Sequence, residues 1–106
     1  MDFVVVNLNN DEDTPEFPNK DNVGHVEILE NNRVMITLSK NGLIGFAQEL
    51  LRLAYNDYKS SYHVHVDPSE KGYLSQAMGF FSMPNSDELI ISCGDFEPID
   101  SYLKEK

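Results

Sequence analysis

The chain has 106 residues, with 18 acids against 8 bases and a formal charge of −10. That size suits one domain over residues 1–106, and that charge excludes phosphate-backbone binding, which depends on lysine and arginine neutralising phosphates. The single cysteine, Cys93, rules out an internal disulfide and a multi-thiolate metal site. It also fits a reducing compartment. No apolar run reaches membrane-spanning length, and Asp2 with no basic region before the first apolar stretch is unlike a signal peptide. Cytoplasmic residence without membrane contact is therefore expected. The acidity suits either plain solubility or a basic protein partner, whose association complementary fields would accelerate.

Residues 3–8, FVVVNL, predict a short strand. Residues 9–22, NNDEDTPEFPNKDN, combine Pro15 and Pro18 with Asp11, Glu12, Asp13, Glu16 and Asp21, and predict an exposed acidic loop. Next, 23-VGHVEILENNRVMITLS-39 predicts a hairpin. A turn over Glu30 to Asn32 pairs Ile28 with Val34 and Val26 with Ile36, giving one apolar face, with Asn32 left-handed. His25, Glu27, Met35 and Thr37 then share the other face.

The segment 41-NGLIGFAQELLRLAYNDYK-59 predicts a helix capped by Asn41 or Ser39. Leu43, Ala47, Leu50, Leu51 and Ala54 form its expected core stripe, widened by Phe46 and Leu53. Gln48, Glu49, Arg52 and Asn56 are expected on the wetter side. Gly45 permits close approach to a sheet. The strand 61-SYHVHVD-67 follows, ended by Pro68. Residues 73–86 are apolar without a clean period and suggest a helical turn and loop. The last strand is 87-DELIISC-93, followed by a polar tail at 95–106 with a closing turn at Asp100 to Leu103. The expected fold class is α+β, a mixed sheet of about five strands with one long helix packed on one face. The strands flanking the helix would run parallel with a right-handed crossover if they lie side by side.

Alternation places His63, His65 and Asp67 on one face of their strand, opposite Tyr62, Val64 and Val66. Imidazole and carboxylate are competent zinc or iron ligands, and His25 is a further candidate. Side chains on one strand diverge, however, so a metal site requires a ligand from a neighbouring strand. The expectation is no metal and no cofactor, with a metal- or ligand-binding domain as the alternative. Cross-strand hydrogen bonding and partner recognition by the same polar face are the other two readings.

Catalysis is not expected. No serine sits in G-x-S-x-G, and Cys93 reads as a small buried hydrophobe. Asp87 and Glu88 adjoin on a strand, which sends their carboxylates to opposite sides. The acids of the 9–22 loop lack the spacing and central glycine of a calcium loop. No phosphate-binding or dinucleotide-binding motif is present.

The hairpin with 34-VMITLSKNGLIGFAQELLRLA-54, then 63-HVHVD-67, then 87-DELIIS-92, resembles small immunity proteins of bacterial polymorphic toxin systems. The resemblance spans Val23 to Cys93 and implies a cytoplasmic inhibitor that binds a protein toxin and performs no reaction. A nuclease toxin, with its basic substrate-binding surface, would complement the acidic charge. From charge and exposed-aromatic reasoning, the expected partner-binding residues are Asp11, Glu12, Asp13, Glu16, His63, His65, Asp67, Tyr73, Phe80 and Phe81. The 78-MGFFSMP-84 patch is either a hydrophobic anchor for that partner or packing over the sheet. A homodimer joined through a sheet face or edge is the remaining alternative.

Overall fold

The computed structural model describes residues 21–55, 63–72, 74 and 76–103. The expected strand at 3–8 and the acidic loop before Asp21 lie outside the described residues. Five strands and one long helix are present among them: β1 (Val23–Ile28), β2 (Val34–Leu38), α1 (Lys40–Tyr55), β3 (His63–Val66), β4 (Phe81–Ser82) and β5 (Leu89–Ser92). The fold is α+β with mixed pairing, as the sequence predicts.

The hairpin forms in the expected register, with Ile28 opposite Val34 and Val26 opposite Ile36. A short 3₁₀ turn over Glu30–Asn32 joins its strands. Asn31 (φ 63°) and Asn32 (φ 60°) both adopt the left-handed conformation, which asparagine tolerates better than most side chains.

The strands divide between two sheets, ordered β2-β1-β4 and β3-β5. Within the first, β1 runs antiparallel to β2 and parallel to β4; within the second, β3 and β5 are antiparallel. The strands flanking α1 are therefore not neighbours. The far edge of β1 is occupied by β4, while β3 finds its partner in β5. Strand β4 has only two residues, too few to show a period within the apolar 73–86 segment.

Ser39, one of the two expected caps, starts the helix. Its Oγ accepts the Gly42 N–H at 3.0 Å and also the Val23 N–H at 3.1 Å, tying α1 to β1. The helix turns a different face inward from the one its apolar stripe predicts. Gly42, Gly45 and Leu53 are buried, with Phe46, Glu49 and Arg52 half-buried beside them. Leu43, Ala47, Leu50, Leu51 and Ala54 are exposed. The cause is backbone proximity: a Cβ on Gly45 would meet the backbone of Gly79, and one on Gly42 would lie 3.1 Å from the Val23 carbonyl oxygen. Only the glycine face allows this approach. Glu49 and Arg52 share the side of the helix nearer the protein as an ion pair at 2.8 Å.

Val66, Met78 and Phe80 form the core cluster, with Leu38, Phe46, Val64, Leu89 and Ile91 packed against it. Both sheets and the helix thus contribute to one core. The loop after β4 is fastened to β1 by Ser86, which is buried. Its Oγ accepts the Val26 N–H at 2.8 Å and donates to the Asp87 carbonyl at 3.0 Å. Replacing Ser86 with alanine leaves a buried N–H unpaired and is expected to cost about 1–3 kcal/mol. Urea unfolding measures this, and a loss below about 0.5 kcal/mol would contradict it.

Candidate functional site

Strand β3 carries the residues of greatest chemical interest. Val66 is fully buried and Val64 packs on the core, so His63, His65 and Asp67 point away from it, as alternation requires. Both histidines are exposed, Asp67 is half-buried, and the imidazole rings meet edge-on with 4.9 Å between centroids. His25 belongs to the other sheet, opposite Thr37, and takes no part in this group.

The pairing with β5 completes the face. His65 lies opposite Ile90 and Val66 opposite Leu89, and Asp67 and Glu88 flank this last pair of the ladder. Glu88 Oε1 reaches His65 Nδ1 at 3.4 Å. One ligand atom from each of His65, Asp67 and Glu88 lies within 4.8 Å of the others. Asp87 points elsewhere, accepting the Ile28 N–H at 3.0 Å, which bears out the expected divergence of the two adjacent carboxylates. Glu88 was within reach of sequence reasoning through its alternation with Ile90, but only the β3–β5 register identifies its neighbours.

The other expected contact residues are dispersed. Phe80 has no exposed surface and packs edge-on against Phe46, with 5.6 Å between centroids. Met78 is also buried, so these two side chains of the 78–84 patch pack inward. Phe81 is half-buried and lines a cleft of about 330 Å³ with Leu74, Met83 and Pro84. Asp11, Glu12, Asp13, Glu16 and Tyr73 lie outside the described residues. Cys93 is exposed rather than buried, because it lies past the last β3–β5 pair, His63 with Ser92.

An apolar surface unforeseen in the sequence lies on α1, where Leu43 and Ile44 are 57% and 47% exposed and Leu50 and Leu51 are 38% and 40% exposed. Helical spacing gathers these four side chains on one side. Among the described residues, no helix is long and apolar enough to cross a membrane.

No curated protein and no solved structure gives a significant match. The family model for Immunity protein 32 matches residues 33–94, more than half of the chain, from the start of β2 to just past β5. The chain therefore belongs to the Immunity protein 32 family and is a non-catalytic immunity protein.

Proposed function

We propose that this immunity protein acts in the cytoplasm as a single domain over residues 1–106, neutralising a basic toxin domain by direct binding. The family match carries the reading. The formal charge of −10 supports a basic partner, because opposite fields accelerate encounter and disfavour acidic competitors.

The exposed face of α1 supplies the apolar centre such an interface needs, through Leu43, Ile44, Leu50 and Leu51. Further contacts with the toxin are assigned to the acidic and polar groups expected from the sequence, Asp11, Glu12, Asp13 and Glu16 with His63, His65 and Asp67, and to the aromatics Tyr73 and Phe81. Phe80 is omitted, since it is buried.

The test is co-expression with candidate toxin domains drawn from the genes flanking this protein's own, followed by calorimetry on the purified pair. Growth should be rescued, and a one-to-one complex should weaken as salt is raised. Leu43→Glu combined with Leu50→Glu should weaken that complex by about a hundredfold while circular dichroism is unchanged. Undiminished binding would remove α1 from the interface, and no binding by the wild-type pair would remove the proposal. A concentration-dependent dimer abolished by the same double variant would assign the face to a second copy of the chain.

A further inference from the structure

We propose that His65, Asp67 and Glu88 form a binding site for one divalent transition-metal ion, with zinc the best match, on the outer face of the β3–β5 sheet. This goes beyond toxin neutralisation and does not depend on it. Imidazole nitrogen with carboxylate oxygen is a donor set that zinc accepts, and three protein ligands leave a fourth position for water.

Geometry supports the ion. Ligand atoms about 2.05 Å from a tetrahedral centre lie about 3.3 Å from one another. The His65 Nδ1 to Glu88 Oε1 separation is 3.4 Å. The third ligand atom, from Asp67, completes a group that spans no more than 4.8 Å.

Electrostatics points the same way. Asp67 and Glu88 flank the last β3–β5 pair, Val66 with Leu89, and one oxygen of each lies within 4.8 Å of the other, so the two carboxylates repel. A bound cation converts that repulsion into attraction to a common centre. The ligands also stand on a supported framework: Val64, Val66, Leu89 and Ile91 on the reverse face are all packed into the core. The backbones of both strands are thereby held in place before an ion arrives.

The test uses the full chain, free of any histidine tag and stripped with chelator, titrated with zinc by calorimetry. One equivalent should bind, and cobalt in its place should give the visible absorption of a tetrahedral nitrogen-oxygen site. His65→Ala and Glu88→Gln should each weaken zinc binding by about a hundredfold, while His25→Ala should leave it unchanged. Should either variant fail to fold, amide NMR of the wild-type chain decides, with zinc-induced shifts centred on residues 65–67 and 88–90. No saturable binding, affinity retained in both variants, or shifts confined to other residues would each overturn the site.

Discussion

Replacing Phe80 with alanine is expected to lower the stability of this protein by about 3–5 kcal/mol, the range for large aromatic truncations in a packed core. The argument rests on position as well as burial. Phe80 is fully enclosed within a cluster that contains Val66 of β3 and Met78, and it meets Phe46 of α1 edge-on at 88°. It therefore joins the helix to the second sheet. The backbone of Gly24, on β1, approaches so closely that a Cβ there would lie 2.8 Å from the ring. With strand backbone forming part of the wall, the space left by the ring cannot readily collapse. Urea unfolding of the two proteins should show the loss as a lower midpoint at similar slope. Phe80→Leu, which keeps much of the volume, should lose less than half as much. An alanine variant within about 1 kcal/mol of wild type would mean that Phe80 does not organise the core.

Replacing Gly79 with alanine should be similarly damaging, at about 2–5 kcal/mol, through a different mechanism. Gly79 has φ +86°, a conformation that disfavours any Cβ, and an added Cβ would run into the backbone of Gly45. Neither partner can rotate away, because both are main chain. The loop is also held in place: the Gly79 carbonyl accepts a hydrogen bond from Asn22 Nδ2 at 3.0 Å, and its N–H donates to the Gln76 carbonyl at 3.0 Å. Gly45→Ala introduces the same collision from the helix side. There, alanine's better helix propensity returns about 1 kcal/mol, so the net loss should be smaller. Denaturant midpoints for both variants test the ordering. Gly79→Ala within about 0.5 kcal/mol of wild type would show that the helix and loop are not in backbone contact.

The two contacts explain where the sequence was informative and where it was not. Local periodicity identified the hairpin register, the left-handed Asn32, the inward valines of β3 and the divergence of Asp87 from Glu88. Each follows from the period-2 geometry of a strand or from the conformational preference of one residue type. The resemblance carried by residues 34–54, 63–67 and 87–92 also pointed to the correct family. The inward face of α1 was misread because a stripe count weights leucines over glycines. Here the glycines meet the sheet and the 79 loop, leaving Leu43, Leu50 and Leu51 uncovered among the described residues. Phe80 was misplaced for a related reason: an apolar run without a period does not reveal which of its rings faces the core.

The sequence by itself determined the class of the fold, most of its elements and the polar face of β3, since these depend on residue type and spacing along the chain; the immunity-protein family came from resemblance to known proteins. Only the tertiary structure decided that the strands divide into two sheets, that α1 presents leucines outward, and that Glu88 stands beside His65 and Asp67. Those outcomes depend on which distant segments meet. That is set by backbone approach at Gly45 and Gly79 and by pairing between β3 and β5, and no local period encodes either.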